Sequence, residues 1–532
     1  MALRTAMVDL AAMADVALAT NKTFRFFWPG VSWAFFISRN HLFKKICYTN
    51  GAMYDVIVIG AGVVGSFIAR NLARYRLKTL VLEKDLDAAD EATMANSAIV
   101  HSGYDPVPGT LKAKMNVLGN RMMPKICGEL DVPFEKCGTL TLSFSLEENE
   151  KLKMLQKRAQ ENGVKSVIWN EKELHEKEPN VSKEAIAALF CEDGGIVNPF
   201  LLSLHALENA LDNGVSLHLG EKVIGLNKEG VGYAIQTDKA LYQAKLVINA
   251  AGTHSDEIAK MAGPISWKIE PRKGEYFVLN HYAKGLVNSV LFTLPTEKGK
   301  GVLITKTSSG NYLVGPSSEP DNDPDDLSTD SFTLSKVKEM ALRMVPSIPF
   351  YESIRVYSGM RATPSTHDFI LGPQNGDPSF INAAGIESPG LASSPAIGKY
   401  VVDSFVVSYL KPQENPSYNP VVKPYVCPKK LAKKERNELI EKNPDYGKIL
   451  CDCEEVSLGE MKDVLSRSLP CLTVKGMKKR TRAGFGKCQG GFCQAKVLAL
   501  LAECQGVPLD KVNYGKPHSP ILLGKAKKGA SK

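Results

Sequence analysis

A six-residue apolar strand that runs straight into a spaced-glycine turn and then a helix leaves few folds open. Tyr54-Asp55-Val56-Ile57-Val58-Ile59 is β-branched and reads as a buried strand. Gly60-Ala61-Gly62-Val63-Val64-Gly65 has the G-x-G-x-x-G spacing. Ser66 to Tyr75 carries Phe67, Ile68 and Leu72 at helical spacing, and Lys78 to Leu82 reads as a second strand ending in Glu83. This is one βαβ unit, which requires a parallel sheet covered by helices. Gly60 permits the tight turn, Gly62 lets the backbone approach a pyrophosphate, and Gly65 lets helix and strand pack closely. The helix N-terminus offers free N–H groups and a positive dipole end to phosphates. Glu83, 23 positions beyond Gly60, can accept from a ribose hydroxyl. The motif alone is weak, but in this context it points to dinucleotide binding. It does not separate FAD from NAD.

The second constraint lies near the other end. Cys451-Asp452-Cys453 is followed by Cys488-Gln489-Gly490-Gly491-Phe492-Cys493. Four thiolates in two pairs suit zinc or an iron–sulfur cluster. C-x-C is tighter than the usual zinc-knuckle spacing, so [2Fe–2S] is favoured. Gly484, Gly486, Gly490 and Gly491 let backbone N–H groups approach cluster sulfurs. The other seven of the 11 cysteines are single, and Cys471, between the pairs, reads as core. A chain of 532 residues with thiols so unevenly spaced is no secreted disulfide framework.

That length predicts two to four domains, and 44% hydrophobic residues suffice for a core. The net charge of +9 comes from the ends: residues 423–532 hold 23 Lys and Arg against 11 Asp and Glu. Solvated lysine or an acidic redox partner would account for this. No aromatic-interleaved basic motif argues for nucleic acid, and no apolar run is long enough for a transmembrane span. The acid-poor residues 1–52 read as a targeting segment or as an upstream extension before a start at Met53. The first reading places the protein in a mitochondrion-like organelle, the second in the cytoplasm. The expected division is a main domain over 53–405, a Pro-, Lys- and Glu-rich linker over 406–446, a small basic domain over 447–505 and a basic tail over 506–532. His205 and His254 read as helix-surface or loop residues.

Residues 53–405 resemble the FAD-dependent oxidoreductases of the D-amino acid oxidase superfamily, nearest the glycerol-3-phosphate and L-2-hydroxyglutarate dehydrogenase branch. The resemblance rests on Asp55–Gly65, Ala95–Tyr104, Pro108–Lys114, Val247–Gly252, Pro271–Tyr276, Tyr357–Arg361 and Gly385–Leu391. Residues 449–500 resemble the bacterioferritin-associated-ferredoxin-like [2Fe–2S] domain. The resemblance implies an α/β fold with a Rossmann-type FAD-binding domain (parts about 53–130, 190–265 and 355–405), an interleaved β-rich substrate domain and a small helical C-terminal cluster domain. It places Asn96 and Ser97 near the isoalloxazine, Gly252 at the adenine end, and Gly385, Gly390 and Leu391 by the flavin ring. Arg361 corresponds to the family's G-x-R-P motif and would bind a substrate carboxylate or phosphate. Ala362 here replaces the usual proline.

Oxidising an alcohol by hydride transfer needs a base, and His101 is the candidate because imidazole titrates near neutral pH. Tyr104, Lys273 and Tyr276 are candidate substrate contacts. The expected reaction oxidises an anionic secondary alcohol, glycerol 3-phosphate first and L-2-hydroxyglutarate second. Electrons would leave through a cluster on Cys451, Cys453, Cys488 and Cys493 to an acceptor protein or quinone-linked subunit. Amine or imino-acid dehydrogenation, or a non-catalytic electron-transfer subunit, are the competing readings.

Overall fold

A computed structural model describes residues 53–295 and 301–524, together with the backbone of three short strands at 25–28, 31–34 and 46–48. The targeting or extension reading of residues 1–52 therefore lies outside the residues whose side chains are described.

The sheet that holds the glycine turn has eight strands. Its parallel centre runs Ser216–His218, Thr79–Leu82, Tyr54–Ile59, Leu241–Asn249, Asp377–Ala384. The central strands are buried on both faces, which is why Val56 to Ile59 and Leu246 to Ile248 read as continuous apolar runs rather than alternating ones. Helices Val63–Leu72, Leu111–Glu129, Pro199–Asp212 and Gly390–Val401 pack together on one side. Their apolar faces close a core with Ile68, Leu72, Met115, Leu204 and Ile397.

A nine-stranded mixed sheet carries the second core. Two of its strands, Arg272–Leu279 and Ser353–Arg361, pair antiparallel along their length. Arg272 lies opposite Arg361, Gly274 opposite Gly359, and Tyr276 opposite Tyr357. Side chains alternate along a strand, so these six positions share one face.

The C-terminal unit is a short hairpin, Ile449–Cys451 with Val456–Ser457, and helices Leu458–Leu465, Val474–Thr481 and Gln494–Gln505. Its core of Met461, Val464, Met477, Val497 and Leu501 is its own. It docks on the nucleotide-binding domain through buried charges. Arg480 grips Asp87 with two bonds of 2.8 Å, and Lys479 reaches Asp90 at 2.7 Å and Asp87 at 2.9 Å. Arg467 pairs with Glu208 at 2.7 Å. Burial alone would raise the Asp87 carboxyl, but Arg480 and Lys479 hold it at about 2. Segment 406–446, read as a linker, straps along the main domain: Pro420 accepts from Arg70, and the Val422 N–H donates to the Glu129 carbonyl, both at 3.0 Å. It also holds a helix, Lys433–Lys442. Among the described residues, no helix is long and apolar enough to cross a membrane.

Candidate active site and cysteine centre

The glycine turn is as tight as its spacing implies. Gly60 has a φ of +105°, and a Cβ on Gly65 would stand 2.0 Å from the Gly60 carbonyl oxygen. Only hydrogen fits between that helix and that strand. The turn is held from two sides. Glu83 accepts from Ala61 N–H at 2.7 Å and from Asp85 N–H at 2.9 Å, and Thr93 Oγ1 accepts from Val63 N–H at 3.0 Å. Burial, then the charge of Asp85, pushes the Glu83 carboxyl up to about 7. A hydroxyl donating to this carboxylate would favour its ionised form.

From this turn a cavity of about 500 Å³ runs between the two sheets. Of the expected cofactor contacts, Gly62, Asn96, Ser97, Gly252, Gly390 and Leu391 line it, while Gly60, Gly65 and Glu83 build the turn at its end. Gly385 lies outside the lining, turned at a φ of +66° against Pro364. Helix Gly390–Val401 begins at the cavity wall, and its positive N-terminal end favours negative charge there. An elongated cavity that starts at a glycine turn and ends among arginines fits a dinucleotide with a substrate beyond it.

His101 and Arg361 line the same cavity. His101 is buried, with Nε2 at 3.5 Å from Ser388 Oγ and its ring 5.7 Å from that of Phe292. Asn116 and Asn120 both donate to the His101 carbonyl, at 2.7 and 3.2 Å, and fix the backbone there. Tyr276 lines the cavity, stacked on Tyr357 at 4.8 Å and 9°, with its hydroxyl 3.0 Å from Ser97 Oγ.

Two expected substrate contacts are displaced. Tyr104 is 2% exposed, in a core with Leu152 and Leu189, and its hydroxyl accepts from Thr141 at 3.0 Å. Lys273 is turned to the opposite strand face and is neutralised by Asp326 at 2.6 Å and Asp321 at 3.0 Å. The cation that reaches the cavity is its neighbour Arg272, which the sequence reading missed. Period two was the available signal: in Arg272-Lys273-Gly274-Glu275-Tyr276, Arg272 shares a face with Tyr276, and Lys273 does not. His205 is likewise no surface residue. It is fully buried, bonded through Nδ1 to the Leu130 carbonyl at 2.5 Å, and burial pushes its pKa down to about 3. His254 sits between Glu257 and Asp325 at 3.1 and 3.2 Å.

Arg272 and Arg361 are held side by side. Arg272 donates through Nε to Ser318 Oγ at 3.2 Å and through an amino group to the Ser318 carbonyl at 3.0 Å. Arg361 donates to the Ser317 carbonyl at 2.9 Å and to Ser318 Oγ at 3.5 Å. Gly274 makes the room: a Cβ there would stand 2.5 Å from the Arg361 amino nitrogen. Neither guanidinium meets a carboxylate among the described residues, whereas Lys112 in the same cavity is paired with Glu387 at 2.7 Å. The arrangement is a fixed, uncompensated pair of forks, suited to a multivalent oxyanion.

The four terminal cysteines come together in two pairs. Cys453 lies beside Cys488, and Cys451 beside Cys493. Four thiols gathered from two loops would fit a [2Fe–2S] cluster. Burial alone would raise the Cys488 thiol, but the Phe492 N–H, the Cys453 thiol and the Gly490 and Gly491 N–H groups lower it. Burial and Cys451 push the Cys493 thiol up to about 12, so ionising all four needs a cationic centre. A Cβ on Gly486 would stand 2.3 Å from that of Cys453, so glycine is what lets the two loops meet.

Comparison with known proteins agrees with both centres. The family model described as FAD dependent oxidoreductase matches residues 55–404, and that described as BFD-like [2Fe-2S] binding domain matches residues 449–503. A glycerol 3-phosphate dehydrogenase of Caloramator mitchellensis is 40% identical over 89% of this chain and 99% of its own length. A glycerol 3-phosphate oxidase of Mycoplasma genitalium is 32% identical over 68% of this chain and 98% of its own. The solved L-alpha-glycerophosphate oxidase of Mycoplasma pneumoniae with FAD bound superposes with a TM-score of 0.68 at 29% identity, covering 71% of this chain and all of that one.

Proposed function

Because the chain belongs to the FAD dependent oxidoreductase family, we propose that it is a dehydrogenase that oxidises glycerol 3-phosphate to dihydroxyacetone phosphate. The observation that carries the substrate is the Arg272–Arg361 pair. A phosphate dianion accepts from both forks at once, and adjacent cations match its compact charge. A dicarboxylate such as L-2-hydroxyglutarate would call for two cations set apart by the length of the molecule.

The protein's cofactors are FAD and a [2Fe–2S] cluster: when bound, the flavin accepts hydride, and the cluster passes electrons on one at a time. The chain's own residues bind, orient and deprotonate. Arg272 and Arg361 anchor the phosphate, which fixes where the adjoining carbinol stands. His101, on the same cavity wall, takes the hydroxyl proton. Phe292 beside it and Tyr276, which stacks on Tyr357, give that part of the cavity apolar ring surface, where charge–charge contacts are stronger than in water. Cys451, Cys453, Cys488 and Cys493 would hold the cluster, and a separate acceptor, a protein or a quinone-linked subunit, would take the electrons.

The test is anaerobic. The purified chain is titrated with sn-glycerol 3-phosphate and separately with L-2-hydroxyglutarate while its visible spectrum is followed. Bleaching of the flavin band by the first and not the second is expected. Bleaching by the dicarboxylate alone, or by neither, overturns the assignment.

A further inference from the structure

A second cavity, of about 430 Å³, lies where the C-terminal unit meets the main domain, outside every role assigned above. It shares one wall with the flavin cavity, since Ala95, Asn96 and Ala98 line both. Its opposite wall belongs to the cluster domain and includes Gln489, the residue after Cys488. It therefore stands between the two redox centres.

Its chemistry is specific. Phe485 stacks on Phe200 across the domain junction at 5.5 Å and 14°, and Tyr357 adds a second aromatic surface. Most cations around it are neutralised. Lys479 meets Asp87 and Asp90, Lys475 meets Asp90 at 3.4 Å, and Arg482 meets Glu454 at 2.7 Å. Two are not. Lys478 is only 7% exposed and has no carboxylate partner among the described residues; its ammonium lies 4.6 Å from the centre of the Phe485 ring. Arg355 meets Gln489 Oε1 at 3.4 Å and no carboxylate among the described residues. Burial and the charge of Arg355, with those of Arg482 and Lys475, push the Lys478 ammonium down to about 8, against the opposing pull of the Cys493 thiol. A buried ammonium with no carboxylate bonded to it is costly, and the cavity beside it is large enough to hold an anionic group.

We infer that this cavity binds a planar, anionic aromatic electron acceptor, its ring against Phe485 and Tyr357 and its anionic group against Lys478 and Arg355. Quinone-type acceptors of this class take up two electrons and two protons. Oxidation of a secondary alcohol to a ketone releases the same number, so the exchange balances without another reactant. The location puts the acceptor's ring at the wall shared with the flavin cavity and its edge beside the cluster loop.

The experiment measures binding to the oxidised holoenzyme by calorimetry, with no substrate, so its outcome does not depend on which alcohol the enzyme oxidises. The probes are 1,4-naphthoquinone-2-sulfonate and neutral 1,4-naphthoquinone. One sulfonate site is expected, not displaced by glycerol 3-phosphate. Lys478→Met, which keeps the apolar stem, should weaken the sulfonate at least tenfold, change the neutral quinone less than threefold, and leave FAD and iron content intact. Arg355→Ala, at an exposed position that tolerates truncation, should weaken it in the same direction. Absence of sulfonate binding to the parent protein, equal affinity in both variants, or displacement by glycerol 3-phosphate overturns the inference.

Discussion

Removing one fork of the arginine pair should cost phosphate recognition and little else. Arg272 and Arg361 each commit two of their five N–H donors to Ser317 and Ser318, which leaves three apiece for a ligand. A hydrogen bond from a charged group is worth about 1.5–3 kcal/mol. Arg361→Met removes at least one such bond from bound glycerol 3-phosphate, so kcat/KM should fall on the order of 10- to 150-fold. Arg272→Met should fall by a similar factor, because the two side chains face each other in register. Arg361→Lys restores charge but not the planar fork, and should recover only part. The assay is anaerobic stopped-flow bleaching of the flavin against substrate concentration, with glycerol as a control lacking the phosphate. Rates with glycerol should change less than threefold. If Arg361→Met slows both substrates equally, the arginine supports the flavin site rather than the phosphate. A fall below threefold with glycerol 3-phosphate would refute the pairing altogether.

Other perturbations follow from the buried geometry. Arg480→Met strips Asp87 of both its 2.8 Å bonds and should destabilise the docked C-terminal unit by about 3–5 kcal/mol, read by calorimetric unfolding; Asp87→Leu combined with it should restore part of the loss. The Asp87 carboxyl is depressed to about 2 in the folded chain, so its contribution is present above the ordinary carboxylate range and lost as pH falls through about 4 to 2. Unfolding followed across that window should show about 2 kcal/mol lost in the parent protein and not in Asp87→Asn. Gly65→Ala places a methyl 2.0 Å from the Gly60 carbonyl oxygen and should yield protein without bound FAD, checked by the flavin absorbance of the purified chain. Cys488→Ala should abolish the iron–sulfur absorbance and iron content while the flavin band persists.

The two cofactor centres were legible because each is encoded in short stretches of chain. A strand, three spaced glycines and an acid after the second strand define a turn whatever lies elsewhere; the structure adds that Glu83 accepts from the Ala61 N–H within it. The C-x-C and C-x₄-C pairs likewise imply a multi-thiolate centre before any fold is known. Substrate recognition was less legible, because it depends on strand faces. Arg272 and Lys273 are adjacent cations in one strand, and a single step in register decides which enters the cavity and which is neutralised outside it. Tyr104 was misread because its segment borders the cavity, while its side chain packs in the core with Leu152 and Leu189.

What the sequence determined by itself is therefore local: the dinucleotide turn, the thiolate pairs, and the polar or apolar character of each element. Only the tertiary structure decided which cations remain unpaired. Arg272, Arg361 and Lys478 face cavities with no carboxylate partner among the described residues, whereas Lys273 and Lys479, of the same residue types, are neutralised. The docking of Lys479 and Arg480 on Asp87 and Asp90 spans almost 400 positions. Charge balance at a buried site is a sum over everything that packs against it, and no window of sequence contains that sum.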